Sequence, residues 1–160
     1  MSNFPATGFL PGSGNPWALD LQPETLQGVS TASVVFTRYT YTGGANGTTD
    51  YHTLTVALPA GDLLTLEDLF VVDVNPYATL QPLAEAALIA QLGDAIIPDM
   101  MTPGTEPTPE NYQNWALTET TLNLYFNKYQ VAPGAAGAPM ISIPLSDLSD
   151  VLQAQYLPNA

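Results

Sequence analysis

The groups in this 160-residue chain whose spacing could support chemistry are its carboxylates and one histidine. Acid and base roles in glycoside cleavage need two carboxylates, and Glu67-Asp68, Asp147 and Asp150 are the nearest candidates. Each stands where the first turn of a helix is predicted, and there negative charge is favoured by the helix dipole and by capping without any catalytic role. His52 falls on the apolar side of a strand pattern and reads as a satisfied, partly buried histidine rather than a general base. With one histidine, no cysteine and no Asp-x-Asp-x-Asp-Gly loop, the chain offers no metal-ligand set. There is no Gly-x-Ser-x-Gly elbow, Ser/His/Asp set or glycine-rich phosphate loop. The expectation is a chain with no catalytic residue, no metal and no cofactor.

Aromatic residues are the more suggestive set. Tyr39, Tyr41, Tyr125 and Tyr129 lie opposite the clearest apolar stripes of their segments. They could form an exposed ledge for a protein or sugar partner, or they could be core beneath covering helices, because tyrosine serves both environments. Pro133 fixes one φ, and Gly134 and Gly137 permit positive φ, so the loop from Pro133 to Gly137 is expected to be ordered and to present a recognition surface. Tyr39, Tyr41, Tyr125, Tyr129, Pro133 and Gly134 are therefore the candidate ligand-binding residues.

The elements that must position them follow from periodicity. Residues 1–15 are rich in Gly, Pro, Ser and Asn and are expected to be a flexible N-terminal arm, with residues 16–160 forming a single α+β domain. Strands are predicted over Trp17–Leu21, Ser33–Thr42 and Tyr51–Leu58, the last two joined by the loop Gly43–Asp50, whose glycines suit a hairpin. Thr65 and Asp68 have capping-box spacing before a short helix that carries Leu66, Leu69 and Phe70. The main helix spans Pro76–Leu92 and either begins its regular course at Pro82 or kinks there. The prolines from Pro98 to Pro109 predict a loop. Trp115 and Leu117 start a strand that turns through Glu119-Thr120 into Leu122, Leu124 and Phe126, and Ile141 and Ile143 repeat the two-residue period. A final helix from Leu145 or Ser146 would bury Leu148, Val151, Leu152 and Tyr156. The sum is an antiparallel sheet of about five or six strands with the helices near Leu83 and Leu148 packed across one face.

Charge narrows the partners. Two basic residues, Arg38 and Lys128, face fifteen acidic ones for a net charge of −13, so nucleic acid and anionic bilayers are repelled and a basic partner is favoured. No apolar run approaches the ~20 residues needed to span a bilayer, so membrane insertion by this chain is not expected.

Three blocks in order carry a family resemblance: the tyrosine-bearing strand before Gly43-Gly44-Ala45, Leu64 to Phe70, and the run Tyr125-Phe126, Tyr129, Ala132-Pro133, Ala135-Ala136-Gly137, Ile143-Pro144 and Leu148. Together they resemble the RsiV/PdaC-like family, an extracytoplasmic bacterial domain found in a lysozyme-sensing anti-sigma factor and, outside the catalytic domain, in a peptidoglycan deacetylase. The resemblance implies an extracytoplasmic, non-catalytic recognition domain for a protein ligand, with a basic, lysozyme-like protein as precedent and a cell-wall glycan as the alternative. Asn46 stands where the family pattern has histidine, and Gly134 where it has tyrosine.

Overall fold

The computed structural model describes residues 17–158, so the arm expected over residues 1–15 lies outside the described residues. The α+β architecture holds, with one change: the six strands divide into two three-stranded antiparallel sheets, β1-β2-β3 and β4-β5-β6, rather than joining in one.

The second sheet carries the main core. Its strands are β4, Trp115–Leu117, β5, Thr121–Tyr125, and β6, Met140–Pro144. The register sets Trp115 opposite Leu124, Leu117 opposite Leu122, and Ile143 and Ile141 opposite Leu122 and Leu124, so these side chains share one face. Helix α1, Pro76–Leu92, covers that face with Leu80, Ala84 and Leu88, a four-residue repeat in which each residue is fully buried. Asn75 caps α1 by accepting the Ala78 N–H at 3.1 Å, and Pro76 occupies the first turn, where no donor is needed. The helix runs through Pro82 without a break, with that proline exposed.

The first sheet lies against the other face of the second. It comprises β1, Ala18–Gln27, β2, Thr31–Tyr41, and β3, Thr48–Ala57. Its inward side chains are mostly small and polar: Thr31, Ser33, Val35 and Thr55 are buried, and the Ser33 and Thr55 hydroxyls bond at 2.8 Å. Val35 meets Ala116 and Tyr125 there, and the Trp115 N–H donates to Thr53 Oγ1 at 3.0 Å. The side chains expected to face the core in β3 point outward instead. Leu54 is 47% exposed, and His52 is exposed rather than partly buried. Leu19 and Leu21 share this outer face with Phe36 and Val34, and its ionised pair, Arg38 and Asp50, closes at 2.9 Å. Ser33 and Thr55 can face inward because their hydroxyls satisfy each other, which offsets the cost of burying them, while the buried Thr31 hydroxyl has no partner among the described residues.

Other boundaries also move. The first strand runs past Leu21 to Gln27 through Pro23, a residue without a donor that is tolerated because β1 is an edge strand. The proline-rich stretch holds a second helix, α2, Pro98–Thr105, which starts on a proline and meets its second, Pro103, near its end. In place of a closing helix the chain makes two 3₁₀ turns, Leu145–Leu148 and Ala154–Tyr156, which still bury Leu148, Leu152 and Tyr156. The Thr65–Asp68 cap holds a 3₁₀ turn, Glu67–Leu69, with the Asp68 carboxylate accepting the Thr65 N–H at 2.7 Å. Among the described residues no helix is long and apolar enough to cross a membrane.

Candidate functional site

The tip of the β2–β3 hairpin and the segment after β5 are joined by backbone and side-chain bonds. The Lys128 N–H donates to the Thr49 carbonyl at 3.1 Å, the Tyr51 N–H donates to Asn127 Oδ1 at 2.8 Å, and Lys128 Nζ donates to the Gly47 carbonyl at 2.7 Å. Sequence separations of 76 and 81 residues make the last two contacts tertiary rather than local.

Through the Lys128–Gly47 bond these contacts link the Tyr39 side of the hairpin tip to Tyr129. The Tyr39 ring lies on Gly47 and the Tyr129 ring lies on Gly134, each so close that a β carbon on the glycine would collide with the ring. Lys128 Nζ sits 5.2 Å from the centre of the Tyr129 ring, a cation–π contact. Tyr39 is 40% and Tyr129 51% exposed, so both present ring surface to solvent. Tyr41 shares the hairpin with Tyr39, donating its hydroxyl to the Gly44 carbonyl at 2.8 Å, and a hollow of about 410 Å³ opens between Tyr39, Tyr41 and the Gly44–Gly47 backbone.

Tyr129 is held in the left-handed region at φ 72°, which costs a non-glycine residue about 1–2 kcal/mol. The surroundings hold it there. Gln130 Oε1 accepts the Asn127 N–H at 3.1 Å, its amide donates to the Gly104 and Asn111 carbonyls at 3.2 and 3.0 Å, and Val131 and Ala132 are buried. Beyond them Pro133 leads into a 3₁₀ turn, Gly134–Ala136, closed by Gly137 at φ 78°. Asp73, at φ 70°, is the other non-glycine residue with positive φ among those described. Replacing Tyr129 with glycine is expected to leave stability within about 1 kcal/mol of the native chain, because relief of the strained backbone offsets the lost ring contacts. Urea denaturation checks this, and a larger loss would show that the ring is structural.

Of the six candidate residues, Tyr39 and Tyr41 on the hairpin and Tyr129, Pro133 and Gly134 after β5 are linked through the Lys128–Gly47 bond. Tyr125 is not, being only 6% exposed. Its ring packs between the two sheets with its centre 5.1 Å from that of Tyr51, and burial raises the hydroxyl pKa of both. The alternation of β5 correctly separates Leu122 and Leu124 from Asn123 and Tyr125, but both of its faces are covered. Gly47 and Lys128 join the group without having been anticipated. Lys128 stands next to Tyr129 as one of only two basic residues, the one local signal available.

The candidate carboxylates do not form a pair. Asp68 is engaged in its cap, and Asp147 accepts the Ser146 hydroxyl at 3.2 Å. Glu67 accepts the Tyr77 hydroxyl, which holds its carboxyl below the usual range, the opposite of what a general acid needs. Among the described residues no group of three or more His, Cys, Asp or Glu could hold a metal ion.

The Glu67 bond has a pH signature. A carboxyl whose folded pKa is depressed contributes stability that is fully present above its usual value of 4.5 and is lost as pH falls through the folded value. Glu67→Gln is expected to flatten the acid limb of the stability curve below about pH 4.5, read by urea midpoints at stepped pH. An unchanged slope would show that the bond is not formed in solution.

The family model for a protein of unknown function, DUF3298, matches residues 67–146. The chain is 34% identical over 130 residues to the peptidoglycan-N-acetylmuramic acid deacetylase PdaC of Bacillus subtilis, covering 81% of this chain and 28% of that protein. It is 30% identical over 117 residues to the esterase Rv3036c of Mycobacterium tuberculosis, covering 73% of this chain and 50% of that protein. The chain thus spans half or less of each of these relatives. The crystal structure of a DUF3298 member from Bacteroides fragilis superposes with a TM-score of 0.68 at 23% identity, over 88% of this chain and 56% of that one. The PdaC-like resemblance and the α+β fold therefore both hold, and the chain belongs to the DUF3298 family.

Proposed function

We propose that this domain is a non-catalytic, extracytoplasmic recognition module that binds a protein ligand through the surface formed by Tyr39, Tyr41, Tyr129 and the Pro133–Gly134 turn. The observation that carries this reading is Tyr129, an exposed ring held at φ 72° and fixed between Lys128 and Gly134. A preorganised aromatic group loses little conformational freedom on binding, which is the property of an interface anchor. The net charge of −13 favours encounter with a basic protein such as lysozyme, and salt weakens that steering. The deacetylase and esterase names belong to proteins of which this chain spans only a part. The depressed carboxyl of Glu67 supports a role without catalysis.

A second reading, as a cell-wall glycan-binding accessory module, is favoured by Lys128. Its ammonium lies beside the exposed rings and suits a sugar that stacks on them and carries an acidic substituent. Binding to hen-type lysozyme and to soluble peptidoglycan fragments at low and moderate salt distinguishes the two. Lysozyme binding that weakens with salt and falls about tenfold in Tyr129→Ala supports the first reading. Glycan binding that is lost in Lys128→Met, without lysozyme binding, supports the second. Hydrolysis of a glycan or an ester that disappears in Glu67→Gln would overturn the non-catalytic assignment.

A further inference from the structure

A second concavity lies away from the tyrosine surface, where the chain between Leu63 and Glu67 runs beside the outer edge of β3. Val56 and Leu63 form an antiparallel bridge, and the Leu64 N–H donates to the Thr55 carbonyl at 2.9 Å, so this segment closes the edge and builds one wall. The cleft behind it has a volume of about 420 Å³ and is floored by Leu66, Tyr77 and Trp115. Leu54 and Leu63, 47% and 65% exposed, stand at its mouth beside Glu67.

Its polar groups are largely engaged. Thr53 Oγ1 takes the Trp115 N–H, Thr55 bonds Ser33, and the Tyr112 hydroxyl donates to the Thr105 carbonyl at 2.8 Å. The Tyr77 hydroxyl is spent on one Glu67 oxygen, and the Glu67 carboxylate stands in the lining of the cleft. That bond keeps Glu67 ionised at neutral pH, and the Asp68 and Glu110 carboxylates add to the negative field at Glu67 and Tyr77 respectively. Among the described residues no basic residue lines the cleft. The chain's two cationic side chains are committed elsewhere, Arg38 to Asp50 and Lys128 to the Gly47 carbonyl. A charge to complement Glu67 must come from outside.

We infer that this cleft is a distinct docking site for an extended polypeptide segment, in which a lysine or arginine side chain meets Glu67 while its aliphatic neighbours pack on Leu54, Leu63 and Trp115. The apolar walls accept the methylene stem of such a side chain, and the carboxylate at the rim meets its head. A nucleic acid would meet a carboxylate here in place of a cation. The inference rests on the recognition reading only in taking the partner to be basic, and it places the charged contact in the cleft rather than on the tyrosines.

The test is an NMR titration of the whole chain with acetyl-Leu-Lys-Leu-amide and, separately, acetyl-Leu-Gln-Leu-amide. The expected result is that the lysine peptide shifts the signals of Leu54, Leu63 and the Trp115 indole, and binds about fivefold more tightly than the glutamine peptide. Glu67→Gln retains an acceptor for Tyr77 and should remove that preference. Leu63→Ser should weaken both peptides equally, and Tyr129→Ala should change neither. Absence of shifts at the cleft, or equal affinity for the two peptides, overturns the inference. If the peptides bind as described but no protein ligand is sensitive to Tyr129→Ala, the recognition surface is wrong and the cleft stands. The reverse pattern removes the cleft alone.

Discussion

Gly104→Ala is expected to destabilise the domain by about 3 kcal/mol and to displace the tyrosine surface in the same step. A β carbon at Gly104 collides with the Gln130 carbonyl oxygen and lies 2.8 Å from its carbon and 3.0 Å from a Val131 methyl. The obstacle is backbone, so a rotamer change cannot relieve it; the strand of chain from Asn127 to Val131 must move. Gln130 also donates to the Gly104 carbonyl at 3.2 Å, and this bond would be lost with the shift. Since Gln130 follows Tyr129 directly, the left-handed turn would lose its anchor. Urea denaturation measures the first effect, and a change in ligand affinity beyond the unfolded fraction measures the second. A stability loss below about 1 kcal/mol would show that the close approach is relaxed in solution.

Phe126→Ala is expected to cost more, about 4 kcal/mol, in a domain whose total stability is of order 5–15 kcal/mol. The ring is 1% exposed and meets Tyr112 edge to face, with centres 6.3 Å apart at 73°. Tyr112 is itself fully buried, so no neighbour is free to collapse into the vacated volume. The backbone of Phe126 donates to the Pro139 carbonyl at 2.9 Å, which closes the base of the 127–137 segment. At about 2–4 °C per kcal/mol for a chain of this size, the melting temperature should fall by about 12 °C. A fall below about 4 °C would mean that the ring is not a principal core contact.

The parts of this fold that could be read in the sequence are those whose information is local. Helix α1 is legible because Asn75 and Pro76 mark its start, the four-residue repeat of Leu80, Ala84 and Leu88 marks its buried face, and Gly93 marks its end. Strand β5 is legible from alternation alone. The orientation of the first sheet is not, since Val34, Phe36 and Leu54 look like core and Thr31, Ser33 and Thr55 look like surface. Ser33 and Thr55 turn inward with their hydroxyls bonded to each other across β2 and β3, and a linear sequence does not display such a pairing. Helix α2 was hidden by prolines that a loop and a short helix can both accommodate, at the first turn and near the last. In the site, Tyr129 and Gly134 are marked by residue type, whereas the approach of Gly47 and Lys128 depends on the hairpin folding back onto the chain after β5. Tyr125 has the same local pattern as Tyr39, and only the packing of one sheet on the other separates them.

The two-sided burial of β5 governs where this chain can afford to differ from its relatives. Leu122, Asn123, Leu124, Tyr125 and Phe126 are consecutive buried residues, with α1 on one side and β2 on the other, so the strand has no solvent face on which a neutral replacement could accumulate. Strand β1 is the opposite case. Ala18 to Thr25 are all exposed and lie at the sheet margin, where one side chain can be exchanged for another with little effect on packing. Substitution within this architecture is therefore channelled: at the centre each residue is gripped from both sides and a replacement must fit two neighbours at once, while at the margin a replacement has only solvent to meet.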